Sequence, residues 1–311
     1  MFPADLWSIG ELAEHAGVTV KTVRFYSDRG LLPEAARSAG GHRRYGPEAL
    51  DQLRLIRSLR TLDLPVSEVG RILDREDALE DAIAGQLKEL GSQLASLRWR
   101  EAALQLIRDC TVEERPDRLR LIGAVSAPPS TAALARFWRG VLPARLPARL
   151  VSAILDEAVP QPPADPTPAQ VLTFARLHAL ASEALRHTEN CRSTARNHEG
   201  DLRPAVLYEG LGEAYALASA NLRAQRPPHE DGALDCFVSA HARARGLRDT
   251  PDFRRQLSGV LAQTADPVMA RYWQLTKELS ASPSGPPEPN MGTAHYWLHT
   301  ALDSQVARSA P

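Results

Sequence analysis

At 311 residues, with 37 Lys and Arg against 38 Asp and Glu and a formal net charge of −1, the chain has room for two or three domains. That balance excludes a wholly basic, histone-like protein. Its three cysteines, Cys110, Cys191 and Cys236, are widely spaced and odd in number, which excludes a disulfide framework and fits a reducing compartment. No apolar run reaches the length of a membrane span, and Met1-Phe2-Pro3-Ala4-Asp5 does not lead a basic stretch into an apolar one, so the expectation is a cytoplasmic protein with no membrane partner.

The first elements lie between Ile9 and Arg29. Leu12 and Ala13 fall one turn after Ile9, which predicts a short helix with one buried face. Gly17 supplies a left-handed or closely packed turn. Thr19 is then placed to cap a second helix, with Val20, Val23 and Leu31 turned inward and Lys21, Thr22, Arg24 and Tyr26 left outside. Two short helices around such a turn form a helix-turn-helix, and polar side chains along its second helix suit a DNA major groove. Gly30-Leu31-Leu32-Pro33 ends that helix. Arg37 to Tyr45, with Gly40-Gly41 between two short polar arms, reads as a β-hairpin and hence a wing. Pro47 opens a helix with Leu50, Leu53, Ile56 and Leu59 on one face, and Pro65 and Ser67 begin another carrying Val69, Ile72 and Leu73.

Charge agrees with that order of elements. Residues 21–60 hold nine Lys and Arg against four acidic residues, a local excess of five positive charges on a neutral chain. Arg43, Arg44 and Tyr45 on the returning arm are expected to meet phosphates, with Arg37 and His42 on the same hairpin. Arg24 and Lys21 are the candidates for base edges, with Thr19 and Thr22 beside them. Val23 and Phe25 are expected in the core or an interface. Arg54, Arg57 and Arg60 read as a solvated face.

The segments IGELAEHAGVTVKTVRFYSDRGLLPEAARSAGGHRRYGPEAL and LRTLDLPVSEVGRIL closely resemble the MerR family of bacterial transcription regulators, over residues 7 to about 75 and more weakly to about 110. The resemblance implies a dimer with one DNA-binding head on each protomer, bound to an inverted repeat in double-stranded promoter DNA. It also implies distortion of the over-long spacer so that RNA polymerase engages both of its contact elements. In that family Tyr26 corresponds to an aromatic residue near the DNA backbone.

Ile83, Leu87, Leu90, Leu94, Leu97 and Leu104 follow 4-3-4-3-7 spacing, the repeat of a coiled-coil seam, and no proline falls between Pro65 and Pro116. One helix from about 77 to 110 is therefore expected. Family resemblance makes it an antiparallel homodimer joint; packing against the C-terminal region within one chain satisfies the same periodicity.

Beyond residue 116 the composition is that of a helical bundle, rich in Ala, Leu, Arg and Glu and cut by proline-rich stretches. Helices are expected at 130–140, before Pro160, at 167–190, 202–225 and 230–246, after Pro251 and Pro267, and at 292–307. The expected fold class is thus all-α with a small β-hairpin wing: a winged helix-turn-helix domain (1–76), a coiled-coil dimerisation helix (77–115) and a helical effector domain (116–311).

Three readings compete for that last region. In the first it binds a small organic effector: Tyr208, Leu211, Gly212 and Tyr215 share a helical face, flanked by Glu209 and Glu213, which suit a cationic ligand. Phe137-Trp138, Phe174, Tyr272-Trp273 and Tyr296-Trp297 add aromatic surface, so Tyr208, Glu209, Tyr215, Trp273 and Trp297 are the ligand candidates, against the bland alternative of plain core packing. In the second it binds metal: Cys110 stands where the family's first metal cysteine would, but no second cysteine follows before Cys191, whose helical neighbours are His187 and, farther off, Glu183 and His198. No metal site is expected from this pattern. In the third it docks a protein or acts without a ligand. An enzyme is not expected, since there is no phosphate loop, no nucleophile elbow and no placeable carboxylate pair, and no cofactor is implied.

Overall fold

A computed structural model of the chain describes residues 6–75, 77–191, 202–264, 266–281 and 288–309, with only the backbone at 187–191. These residues form fourteen helices and one two-stranded antiparallel hairpin, dividing into the units Met1–Gln93 and Leu94–Pro311.

In the first unit α1 (Ile9–Ala16) starts in a reciprocal cap: Ser8 Oγ accepts from the Glu11 amide, and the Glu11 carboxylate accepts from the Ser8 amide at 2.6 Å. It ends at Gly17, whose φ of 64° lies in the region an L side chain resists. α2 (Val20–Asp28) is capped by Thr19, whose hydroxyl accepts from the Thr22 amide at 3.1 Å. The hairpin pairs β1 (Ala36–Arg37) with β2 (Arg43–Arg44), Ala36 opposite Arg44 and Arg37 opposite Arg43. A bridge between Trp7 and Tyr45 ties the N-terminal segment to the wing. α3 (Pro47–Thr61) and α4 (Val66–Asp74) complete a core in which Leu12, Val23, Tyr45, Leu53, Ile56 and Val69 are fully buried.

α5 (Ala78–Arg108) is one uninterrupted helix with two apolar stripes. The seam residues from Ile83 to Leu104 are all exposed, from 40% at Ile83 to 71% at Leu104. Trp99, Ala102, Ala103 and Leu106 lie about 200° further round and are buried in the second unit. Packing within the chain therefore uses the other stripe, which the heptad pattern did not single out.

The second unit continues through α6 (Arg115–Gly123), α7 (Ala132–Val141), α8 (Ala148–Ala158), α9 (Pro168–Cys191), α10 (Pro204–Arg223), α11 (Gly232–Ala244), α12 (Pro251–Gln263), α13 (Pro267–Leu279) and α14 (Met291–Arg308). α6 was not expected: Pro116 at its first turn looked like a boundary, and the helix buries no residue that would mark a face. Two apolar clusters organise the unit. One joins Trp99 and Leu106 of α5 to Leu134, Phe137 and Trp138 of α7, Phe174 and Leu177 of α9, and Tyr272 and Leu275 of α13. The other is built from α10, α11, α12 and α14 around Phe237, Val238, Leu257 and Leu298. α14 approaches α13 so closely at Gly292 that a Cβ there would lie 2.0 Å from Trp273 Cγ, so no larger residue fits without displacing the indole. No helix among the described residues is long and apolar enough to cross a membrane.

Candidate functional site

The polar residues of the head separate into two groups. Lys21 and Arg24 are exposed on α2 and make no hydrogen bond or ion pair with the described residues. Thr19 and Thr22 occupy the start of the same helix, their hydroxyls 2.9 Å apart. His42 is exposed at the tip of the wing. Arg44 is half-exposed, with Glu11 at 3.8 Å, and Arg37 pairs with Glu34 at 3.2 Å. The Glu11 carboxyl is held below the usual range mainly by its bonds to Ser8, with a smaller effect of Arg44.

The other group is spent on holding the head together. Tyr45 is fully buried, its hydroxyl 2.6 Å from Ser27 Oγ, so it anchors the wing to α2 rather than facing a phosphate. Tyr26 is also buried, at 8% exposure, which corrects its expected outward position. Arg43 reaches Asp28 at 2.5 Å, Glu34 at 2.6 Å and Ser27 Oγ at 3.0 Å, a bracing role between hairpin and α2. Val20, expected inside, is 40% exposed; Phe25, expected in the core or an interface, is 39% exposed, with the Arg29 guanidinium 3.6 Å over its ring. Arg57 donates to the Ala16 carbonyl at the end of α1 at 2.6 Å and Arg60 to that of Leu64 in the connection to α4, so these two brace the backbone rather than merely solvating a face. A partner for a basic side chain is set by the tertiary approach of a carbonyl or carboxylate, which local spacing does not reveal.

The second unit holds an open-mouthed cavity of about 1270 Å³ lined by α7, α8, α10, α12, α13 and α14 and the segment before α11. Tyr208, Glu209, Tyr215, Trp273 and Trp297 all lie on its wall. Phe137, Phe174 and Tyr272 do not: they fill the cluster against α5, and the Tyr272 hydroxyl donates to the Ala158 carbonyl at 2.7 Å. Trp297 stays in the wall through a 3.0 Å bond from Nε1 to the Arg226 carbonyl. Trp138, only 5% exposed, lines the cavity and packs edge-on against Tyr272, ring centroids 5.5 Å apart.

Glu209 is already neutralised by Arg149 of α8 at 2.7 Å. Glu213 meets the Cys236 thiol, while Glu157 of α8, which local spacing could not bring to the α10 face, makes no ion pair or hydrogen bond with the described residues, and desolvation raises its pKa. The Tyr215 hydroxyl, raised by burial and then by Tyr208 and Glu157, lies 3.0 Å from His295 Nδ1. Burial lowers His295 to about 4, so its imidazole is neutral near pH 7. Such a wall can hold a large apolar body and a few polar groups.

No group of three or more potential metal ligands occurs among the described residues. Cys110 is buried with its thiol against the Ile107 carbonyl, whereas the side chains of His187 and Cys191 and all of His198 lie outside the described residues.

A capped helix pair, a hairpin wing and two further helices in this order define a winged helix-turn-helix regulator. Residues 7–76 match the family described as MerR HTH family regulatory protein. The chain is 31% identical over 121 residues to an HTH-type transcriptional regulator ZntR homolog of Haemophilus influenzae, covering 37% of this chain and 90% of that one. It is 38% identical over 118 residues to an uncharacterized HTH-type transcriptional regulator of Pseudomonas aeruginosa, covering 35% and 89%. With the nodulation protein NolA of a Bradyrhizobium strain it shares 35% identity over 114 residues, 36% of this chain, and spans about half (48%) of that relative's length. No solved structure matches the chain. The chain belongs to the MerR family of HTH-type transcriptional regulators.

Proposed function

We propose that this protein binds double-stranded promoter DNA as a homodimer and controls transcription in response to a small organic ligand. In this reading residues 1–76 form the DNA-binding head, 77–115 the dimer helix and 116–311 the effector domain. Lys21 and Arg24 enter the major groove, with Thr19 and Thr22 at its edge, while Arg37, His42 and Arg44 hold phosphates. Ile83, Leu87, Leu90, Leu94, Leu97 and Leu104 meet the same stripe of a second copy. RNA polymerase is the partner that reads the result, through a spacer bent or untwisted between two heads.

The observation that carries the reading is the pair of surfaces left unused within one chain: unpaired Lys21 and Arg24 on α2, and the exposed leucine stripe of α5. A cation without a carboxylate suits an external anion, and an apolar heptad stripe suits another helix. The aromatic cavity favours an effector over a docking or ligand-free role, because a concave, largely apolar pocket of this size suits a small molecule.

Footprinting of the full chain on the promoter beside its own gene, across a salt series, tests this function. A protected palindrome, a steep salt slope and distortion at the centre are expected. Binding without sequence preference in the presence and absence of effectors would overturn it.

A further inference from the structure

The cavity of the second unit is larger than the usual drug-sized pocket of about 300–1,000 Å³ and takes a bulky, multi-ring molecule. Much of its wall is aromatic or aliphatic, with Trp138, Ile154, Leu211, Met269, Trp273 and Met291 among the lining residues. The charged lining is mostly acidic: Glu157, Glu209, Glu213 and Asp266 against Arg226 and Lys277. Three of these acids are engaged: Glu209 by Arg149, Glu213 by the Cys236 thiol, and Asp266 by the Val268 amide at 2.8 Å in the cap of α13. Glu157 has no such partner among the described residues. Its charge and the neighbouring Tyr208 both act on the Tyr215 hydroxyl, which places the carboxylate at the tyrosine end of the cavity.

From this we infer that the effector is a bulky organic cation, whose ammonium group settles beside Glu157 against the rings of Tyr208 and Tyr215 and whose apolar body extends along Trp138 and Trp273. The inference rests on the cavity being the effector site. A carboxylate drawn partly out of water gains from a cation that arrives already poor in hydration, as a substituted ammonium does, and tyrosine and tryptophan faces attract the same charge.

The test uses the full chain and three probes of one shape: a diphenylpropyl-trimethylammonium ion, its uncharged tert-butyl isostere with carbon in place of nitrogen, and the matching carboxylate. Titration is followed by tryptophan fluorescence and calorimetry. The ammonium is expected to bind at least about tenfold more tightly than the isostere, and Glu157→Gln to remove that preference. Unchanged isostere affinity in the variant shows that the cavity is still folded. Equal affinities in the unaltered protein, tightest binding by the carboxylate, or a preference that survives Glu157→Gln overturns the cation. So does no binding by any probe. The cavity reading stands or falls separately on Gly212→Trp, placed where a Cβ meets open space on the wall: under that reading the filled cavity abolishes effector response at the promoter, and a response left intact removes the site itself.

Discussion

Lys21 and Arg24 of the head stand clear of every described carboxylate, whereas in the second unit Arg254 closes onto Asp249 at 2.6 Å and Asp235 at 2.8 Å, and Arg308 onto Glu230 at 2.6 Å. The second unit keeps its open chemistry in a cavity whose wall Glu157 shares with Tyr208, Tyr215, Trp138 and Trp273. Within the head the same division recurs on a smaller scale: Arg43 is paired with Asp28 and Glu34, while Arg24 has no such partner among the described residues. Net charge alone does not mark a binding face. Arginines satisfied within the fold brace it, and those left unsatisfied are available to an external anion.

The sharpest way to break the contrast is to remove the second copy. Leu87→Glu with Leu94→Glu places like charges along the exposed stripe, and we expect a monomer by sedimentation and a loss of operator affinity of about a hundredfold or more, about 2.7 kcal/mol. Because both leucines are exposed in the single chain, the fold of either unit should survive by circular dichroism. A dimer that persists would send the seam back to some other role.

Next in size are the two arginines of the head. Arg24→Ala should cost about 1–3 kcal/mol and relax discrimination between operator sequences, as read in competition binding. Arg44→Ala should weaken binding evenly across sequences and reduce the salt slope by about one. Identical behaviour of the two variants would erase the proposed division between base and phosphate contacts.

Acid should act on the second unit through His295. Its folded pKa of about 4 lies below the ordinary 6.5, so the unfolded chain takes up the proton first. The associated stability is complete above about pH 6.5 and is lost as pH falls toward about 4. Melting of the tryptophan signal should drop by roughly 5 °C between about pH 7 and pH 5, and His295→Gln should make that slope shallower. A slope unchanged in the variant would assign it to other groups, His241 first, which burial holds at about 3.

The smallest effect separates structural from contact residues in the wing. Tyr45→Phe removes the hydroxyl bonded to Ser27 and should lower stability by about 1 kcal/mol while leaving the salt slope of DNA binding untouched. A smaller slope would return Tyr45 to the phosphate contacts.

Much of the architecture was legible in the chain because it is encoded over short distances. Gly17 and Thr19 delimit two helices through bonds to residues three or four positions away, and Gly40-Gly41 allows the two arms of the wing to pair. The heptad leucines fall on one stripe by helical geometry alone, and Pro251 and Pro267 begin helices because a proline in the first turn forfeits no internal bond. What only the tertiary structure decided involves residues far apart in the chain. Tyr272 became a core residue through the Ala158 carbonyl, Tyr215 a cavity residue beside His295, and Tyr45 an anchor on Ser27. Glu157 joined the aromatic face of α10 because α8 folds against it, and Glu209 was paired with Arg149 by the same approach. Sequence periodicity reports which side of a helix is apolar; whether that side meets a core, a cavity or a second chain depends on the helices that fold over it.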